Sequence, residues 1–245
     1  MDRSALITGA SRGIGLAIAT RLANSGYGLT ISARGAEALE VAAKSLREAG
    51  APEVVVVPAD MSDPESGDAL VAAHTEAFGD MNALILNAGV GTAGPIAEFP
   101  QRRFDKTVAV NFTAPFALIQ RALPLLRAAA AKDARRGSKV VAISSITGEY
   151  AEPTMAAYGA TKAALTSLIE TMNMEESGNG VSGCSIAPAF VDTDMTDWIK
   201  DKIPAEQMID VEDISELVEA LLKLSAQAVV PKIVVSRAGA NPYGA

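Results

Sequence analysis

A tyrosine and a lysine four residues apart, Tyr158 and Lys162, are the pair in this sequence best suited to move a proton. On a helix, this spacing places the phenol and the ammonium on the same face. An ammonium beside a phenol favours the phenolate, so the spacing predicts a Tyr158 pKa below the usual value near 10. Such a pair also arises by chance, so its meaning depends on the residues that surround it.

Several other polar residues are placed to join this pair. Ser145 follows a predicted strand, and Asn87, Ala88 and Gly89 end another. Asn111 lies on a predicted helix that flanks the sheet. In an open parallel sheet, ligands bind outside the carboxyl ends of the strands. We therefore expect these residues to converge at one edge of the sheet.

A glycine-rich turn follows the first predicted strand and leads into a helix. Glycines there let the backbone approach a pyrophosphate, and the helix N-terminus offers unpaired N–H groups and a positive dipole end. The spacing is Gly-x-x-x-Gly-x-Gly, and a strand–helix turn needs glycine in any case, so the motif is weak alone. Its place in a βαβ pattern predicts dinucleotide binding. The residues involved would be Gly9, Ser11, Arg12, Gly13, Ile14 and Gly15.

The end of the second predicted strand indicates which dinucleotide binds. An acidic residue there would accept hydrogen bonds from a ribose 2′-hydroxyl, but the sequence has Arg34 instead. Arg34 and Arg12 can pair with a 2′-phosphate, which predicts NADP(H); the alternative is two solvated arginines. Asp60 follows the third strand and is a candidate acceptor for the adenine amino group, or a helix cap. Asp63 is the better candidate for that cap.

Along the chain, short apolar runs alternate with helical stretches. Continuous apolar runs of this length are typical of strands covered on both faces. The predicted strands are 4–8, 28–33, 53–58, 83–87, 139–144, 181–187 and 232–236. The predicted helices are 13–25, 36–49, 64–78, 101–131, 154–177 and 211–225. The rhythm predicts an α/β, Rossmann-type, doubly wound parallel sheet of about seven strands with helices on both faces.

No linker or repeat divides the chain, so residues 1–245 are expected to form one domain. Residues 190–208 interrupt the strand–helix rhythm and are either a surface excursion packed on the core or a lid on the substrate side.

Composition excludes several classes of protein. The net charge of −8 and the aromatic content of 4% argue against nucleic acid as a partner. No apolar run approaches a membrane span, and one cysteine fits a reducing compartment, so we expect a cytoplasmic protein without membrane association. His74, the only histidine, should occupy a solvated or half-buried helix position far from the motifs, and no metal site is expected.

Taken together, these motifs resemble the short-chain dehydrogenase/reductase family. The matching motifs extend from Thr8 to Thr193 and occur in order at family-like spacing. They are the glycine pattern, Asn87-Ala88-Gly89, Asn111, Ser145 and Tyr158-x-x-x-Lys162. The resemblance implies an NADP(H)-dependent oxidoreductase that transfers hydride between the nicotinamide and a carbonyl or secondary alcohol. The alternative is a non-catalytic NADP(H)-sensing scaffold on the same fold.

The resemblance also implies roles for individual residues. Tyr158 would be the general acid in reduction and the base in oxidation, while Ser145 would hydrogen-bond the substrate oxygen. Lys162 would lower the tyrosine pKa and hold the ribose hydroxyls of the nicotinamide half. Asn111 would position a water that links the lysine to bulk solvent.

Further cofactor contacts are implied by the same resemblance. They are Asp60, Met61, Asn87, Ala88, Gly89, Tyr158, Lys162, Pro188 and Thr193, where Thr193 would contact the nicotinamide carboxamide or act as a helix cap. A homotetramer or homodimer would form through the helices at 101–131 and 154–177.

The substrate is less well indicated. Residues 191–196 are most similar to those of bacterial 3-oxoacyl-[acyl-carrier-protein] reductases, so an acyl thioester is one candidate beside other small carbonyl compounds. Glu175 and Glu176, after the reactive pair, would repel an acidic carrier protein.

Three places depart from the family pattern. Ala189 replaces the glycine that usually follows Pro188, and Cys184 replaces an asparagine. We expect Cys184 to be a small buried strand residue and not a reactive thiol. Residues 235–239 lack the usual Asp-Gly-Gly. Ser144, beside Ser145, should point to the opposite face of its strand and pack in the core.

Overall fold

A computed structural model describes residues 3–241, 243 and 244. Within them, the strands are β1 (Ser4–Thr8), β2 (Gly28–Ala33), β3 (Val54–Pro58), β4 (Ala83–Leu86), β5 (Ser138–Ile143), β6 (Val181–Pro188) and β7 (Lys232–Val235). The helices are α1 (Gly13–Asn24), α2 (Ala36–Glu48), α3 (Ser66–Phe78), α4 (Gln101–Val108), α5 (Ala114–Lys132), α6 (Ala156–Glu176) and α7 (Val211–Lys223). The fold class predicted from the sequence is confirmed.

All seven described strands are parallel and form one sheet in the order β3-β2-β1-β4-β5-β6-β7. The strand order reverses at β1, which pairs with β2 on one side and with β4 on the other. A crevice opens at such a reversal outside the carboxyl ends of the strands. This edge is where the predicted site residues must meet.

Apolar side chains alternate between the two faces of the sheet, so each face builds its own core. Leu6 packs under α3, α5 and α6, whereas Ile7 packs under α1, α2 and α7. Both side chains are completely buried. Strands buried on both faces need continuous apolar runs, which explains why these segments lack a polar alternation.

The predicted helix at 101–131 is interrupted by a π turn. The α4 and α5 helices are joined by a π-helical turn at Ala109–Thr113 instead of a continuous α-helical ladder. Such turns insert one extra residue into a helix and often occur at functional sites. The other predicted helices and strands lie within two residues of the observed bounds.

By length and composition alone, one stretch of the described chain, Gln101–Lys132, is able to cross a membrane. Its best window has a mean hydropathy of 1.2, and a third of that window is buried within the protein. Core helices meet the same criterion. Here Leu118 and Leu126 are completely buried with Leu84 and Val140 of the sheet, so the stretch covers one face of the sheet.

Residues 190–208 form a largely irregular segment beyond β6. Val191 bridges to Ile209 at the base of the segment, and two 3₁₀ turns follow at Asp194–Ile199 and Ala205–Gln207. A reciprocal capping box between Thr193 and Thr196 fixes the start of the first turn.

Candidate active site

The glycine loop between β1 and α1 leaves space for a ligand against its backbone. Gly9 has φ +69°, a conformation that other residues rarely adopt. A Cβ on Gly15 would lie 2.2 Å from the Gly9 carbonyl oxygen, so only glycine fits there. No side chain caps the N-terminus of α1, which leaves its first N–H groups available. The loop fits the phosphates of a dinucleotide.

Asn87 and Thr8 brace the glycine loop. The Asn87 amide donates to the carbonyl oxygens of Thr8 and Gly9, both at 3.0 Å. The Thr8 hydroxyl accepts from the backbone N–H groups of Asn87, at 3.1 Å, and Ala88, at 3.0 Å. These bonds tie the carboxyl ends of β1 and β4 together. Asn87 therefore fixes the conformation of the glycine loop through its backbone carbonyl groups, which is a structural role.

Arg34 and Asp60 lie at the ends of the neighbouring strands β2 and β3, and both are exposed. The Asp60 carboxylate accepts from the Ser62 backbone N–H at 2.9 Å and from the Ser62 hydroxyl at 2.8 Å. These two bonds, with smaller contributions from Lys106 and Arg34, lower the Asp60 pKa below its usual value. Lys106 of α4 thus also lies near Asp60, and sequence reasoning did not identify it because it belongs to no motif.

Other predicted residues of this region have separate surroundings. Arg12 pairs with Asp194 of the 190–208 segment at 2.9 Å, and both side chains are exposed. It therefore faces that segment rather than Arg34. Asp63 accepts from the Glu65 backbone N–H at 3.0 Å in the turn ahead of α3. The prediction that it caps this helix is wrong, because α3 begins at Ser66 and no side chain caps it. Met61 is partly buried against the apolar core under α3 and α5.

Tyr158 and Lys162 lie one turn apart on α6, as their spacing predicts. The Lys162 ammonium lies 5.7 Å from the centre of the Tyr158 ring and donates to the Ile143 carbonyl oxygen at 2.7 Å. A Cβ placed on Gly89 would lie 3.5 Å from the same ammonium. Burial lowers the pKa of Lys162 to about 8. The lysine thus connects α6 to the ends of β5 and β4.

The Tyr158 pKa differs from expectation. Burial raises it above its usual value, and hydrogen bonding to the Ser145 hydroxyl only partly opposes this. The prediction that Lys162 lowers the Tyr158 pKa is wrong for this arrangement, because desolvation of the phenol dominates. The phenol is therefore held protonated at neutral pH, in the state a proton donor requires.

Ser145 begins a short 3₁₀ turn at Ile146–Gly148 and is buried. Its hydroxyl accepts from the Thr147 backbone N–H at 3.3 Å and lies 3.0 Å from the Thr147 hydroxyl. Ser144 points to the opposite face, as predicted, where its hydroxyl donates to the Lys162 carbonyl oxygen at 3.0 Å. The adjacent serines thus have different surroundings, because successive side chains of a strand point to opposite faces.

Asn111 lies in the π turn and is buried. Its side chain accepts from the Val90 N–H at 2.8 Å and donates to the Val90 carbonyl at 3.1 Å. It also lies 3.3 Å from the Thr161 hydroxyl, which donates to the Tyr158 carbonyl at 2.8 Å. Asn111 therefore joins the loop after β4 to the helix that carries Tyr158. Only the position of Thr161, three residues after Tyr158, could have suggested this link.

The segment beyond β6 covers the glycine loop. A Cβ on Gly13 would lie 3.3 Å from the Thr193 methyl group, and one on Gly91 would lie 3.5 Å from Met195. Thr193 is also the helix cap that the alternative interpretation expected. Pro188 ends β6, and the next backbone N–H, of Ala189, donates to the Val235 carbonyl at 2.8 Å.

Cys184 and His74 lie outside this site. Cys184 is buried, and its pKa is raised to about 12, as an unreactive core thiol requires. His74 was expected to be solvated or half-buried, and this is wrong, because the side chain is completely buried. Its ring nitrogens form hydrogen bonds with the hydroxyl groups of Thr30 and Ser4 and with the backbone carbonyl of Asp80.

Among the described residues, no group of histidine, cysteine and carboxylate side chains is arranged to hold a metal ion.

Comparisons with known proteins agree with this geometry. The family described as short chain dehydrogenase matches residues 3–204. The chain is 31% identical, over 211 residues, to a 3-oxoacyl-[acyl-carrier-protein] reductase from Staphylococcus aureus, covering 85% of this chain and 82% of that protein.

Two solved structures are similar over nearly the whole length. One is an alcohol dehydrogenase from the archaeon Thermococcus sibiricus complexed with 5-hydroxy-NADP, with TM-score 0.84, 28% identity, and coverage of 99% of this chain and 98% of that chain. The other is a 3-oxoacyl-[acyl-carrier protein] reductase from Brucella melitensis in complex with NAD, with TM-score 0.85, 25% identity, and coverage of 96% and 94%. The chain belongs to the short-chain dehydrogenase/reductase family of oxidoreductases.

Proposed function

We propose that this protein is an NADP(H)-dependent oxidoreductase that interconverts a carbonyl and a secondary alcohol. The observation that carries the proposal is the gathering of Ser145, Tyr158 and Lys162 at the sheet edge that also holds the glycine loop. When bound, the nicotinamide cofactor supplies or accepts the hydride. The protein must then supply the proton and orient the substrate oxygen.

The roles of the side chains follow from their surroundings. In reduction, the Tyr158 phenol, which burial keeps protonated, gives its proton to the carbonyl oxygen. The Ser145 hydroxyl hydrogen-bonds the same oxygen and stabilises the charge that develops there. Lys162 and Asn111 hold the loops after β5 and β4 in place around Tyr158. In oxidation, the proton returns from the alcohol to the tyrosine.

Replacing the phenol tests this assignment. Tyr158→Phe should lower the turnover of ketones about 100- to 10,000-fold, since it removes general acid catalysis. NADPH binding, measured by calorimetry, should persist. Tyr27→Phe is the matched control, because it also removes one phenol hydroxyl, from a buried tyrosine that contacts Arg3. Full activity of Tyr158→Phe would refute the mechanism, and NADPH binding without turnover of any ketone by the wild type would support the scaffold alternative.

The choice of NADP(H) rests on Arg34. It is exposed at the end of β2, where an acid would have selected NAD(H), and its position next to β3 suits a ribose phosphate. Arg34→Ala should weaken NADPH binding about tenfold more than NADH binding. Arg135→Ala, at an exposed arginine before β5, is the control. Equal losses for both nucleotides in Arg34→Ala would contradict the assignment.

A small carbonyl compound, including an acyl thioester, is the proposed substrate. The acidic patch expected to repel a carrier protein is weaker than predicted, because Glu176 is buried and paired with both Arg127 nitrogens that face it. Of these two glutamates, Glu175 is the exposed one. Comparing free and carrier-bound thioesters as substrates decides between these two forms.

We also propose self-association through α4, α5 and α6, in a homodimer or homotetramer. Exposed apolar side chains support this: Phe104 and Phe116 lie on α4 and α5, and Met174 on α6 is 88% exposed. Sedimentation velocity tests it, and a monomer at micromolar concentration would contradict it. A cytoplasmic location stays a prediction, which fractionation of the source cells would test.

A further inference from the structure

The chain departs from its family's pattern just after β7, and this departure places an arginine beside the active site. The register pairs Ile143 with Ile186 and Pro188 with Val235. Continued by two residues, the first pairing puts Ser145 in the same row as Pro188 and Val235. Arg237 lies two residues beyond this row, at the carboxyl edge of the sheet.

Arg237 is held by aromatic contact. Its guanidinium carbon lies 5.9 Å from the centre of the Phe190 ring, and Phe190 packs edge-on against Trp198 with ring centres 6.1 Å apart. Trp198 belongs to the 190–208 segment that covers the glycine loop. The guanidinium therefore lines the same side of the cleft as this segment.

The Arg237 guanidinium has no anionic partner in the described chain. Its Nε atom is buried without a hydrogen-bond partner. Glu149, on the loop after β5, bonds Lys232 at 2.6 Å instead. Buried donors in proteins are nearly always paired, and a guanidinium matches carboxylate and other oxyanions with two parallel hydrogen bonds. An unpaired arginine in a cleft thus indicates an anionic ligand.

The position of Arg237 also limits where this anion lies on the substrate. Neighbouring strands are about 4.8 Å apart, so the strand that leads to Arg237 lies about 10 Å from the strand that leads to Ser145. A substrate whose carbonyl oxygen meets Ser145 and Tyr158 would reach the guanidinium through several carbon atoms. Because an arginine side chain is long, the substrate itself needs to extend over less than this distance.

We propose that Arg237 is a specificity-determining residue that binds an oxyanion of the substrate, so that the enzyme prefers carbonyl compounds with a carboxylate several bonds from the reacting carbon. This rests on the proposed function, because it deepens the substrate class of the same site. It assigns to Arg237 binding of the substrate and no part in the chemical step.

The test compares 5-oxohexanoate with its methyl ester, using NADPH and the intact protein. In the wild type, kcat/KM for the acid should exceed that for the ester at least about tenfold, mainly through KM. Arg237→Met should lower kcat/KM for the acid to about that for the ester, mainly by raising KM, whereas Arg237→Lys should restore part of the preference for the acid. Arg135→Met is the control for loss of a positive charge far from the site.

Two outcomes separate this proposal from the proposed function. If the wild type reduces the ester as well as the acid, the inference about Arg237 is wrong although the enzyme remains a ketone reductase. If neither is reduced, the proposed function loses support, and calorimetry of 5-oxohexanoate then tests the inference directly. Binding to the wild type that is weakened about tenfold in Arg237→Met sustains it, and equal binding, or none, overturns it.

Discussion

Lowering the pH from 7 to 5 should destabilise this protein through one side chain, His74. The imidazole is completely buried between α3 and the sheet, and burial lowers its pKa from 6.5 to about 4. Nε2 lies 3.0 Å from the Asp80 carbonyl oxygen, which only accepts, so Nε2 carries the proton. Nδ1 then accepts from the Thr30 hydroxyl at 2.8 Å. These contacts satisfy the neutral ring.

The size of the effect follows from the difference in proton binding. Between pH 6.5 and 4 the unfolded chain binds a proton at His74 and the folded protein does not, so the free energy of unfolding falls as the pH falls. Integrating this difference from pH 7 to pH 5 gives about 2 kcal/mol. The chain has one histidine, so no second imidazole contributes in this range.

Urea unfolding followed by circular dichroism at pH 7 and pH 5 measures this effect. The His74→Gln variant keeps hydrogen-bonding groups but does not titrate, so it should lose most of the pH dependence seen in the wild type. Its stability at pH 7 will be lower, which does not affect the comparison of slopes. The same loss of stability between pH 7 and pH 5 in both proteins would refute the reasoning and assign the effect to carboxylates.

Three further predictions follow from single positions. Gly15→Ala should abolish NADPH binding measured by calorimetry while the far-ultraviolet circular dichroism is retained, because its Cβ would meet the Gly9 carbonyl at 2.2 Å. Cys184 should resist a thiol reagent at pH 8 in the folded protein and react in urea, since burial raises its pKa to about 12; rapid reaction of the folded protein would contradict its burial. Glu176→Gln should lower the free energy of unfolding by about 1–2 kcal/mol, because Arg127 loses a charged partner, and an unchanged urea midpoint would show that the pair contributes nothing.

The sequence predicted the fold well because buried parallel strands have an unmistakable pattern. The runs at β1 and β2 gave the observed bounds, and the glycine turn between β1 and α1 follows from spacing alone. The π turn was missed because its extra residue leaves the apolar pattern of the flanking helices nearly intact. Local patterns thus predict elements, and they do not predict the hydrogen-bond register inside them.

The candidate site was predicted as a set of positions, and its electrostatics were not. Tyr158 and Lys162 share a helix face as expected, but the direction of the tyrosine pKa depends on how much water the fold excludes, which no spacing reveals. His74 is buried for the same kind of reason, because its burial depends on strands β1 and β2, which are distant in sequence. Arg12 was placed in the right loop, but its pairing with Asp194 is a long-range contact.

The π turn at Ala109–Thr113 has a consequence for how this helix can tolerate insertions and deletions. Each residue in an α-helix adds a rotation of about 100°, but a π turn takes up one extra residue within a single turn, so deleting that residue would restore regular winding and leave α4 and α5 facing nearly the same directions. Leu118 and Leu126 would keep their places under the sheet, and Lys106 would stay near Asp60. A one-residue deletion at this turn would therefore spare both helices and change mainly the surroundings of Asn111, which lies within the turn.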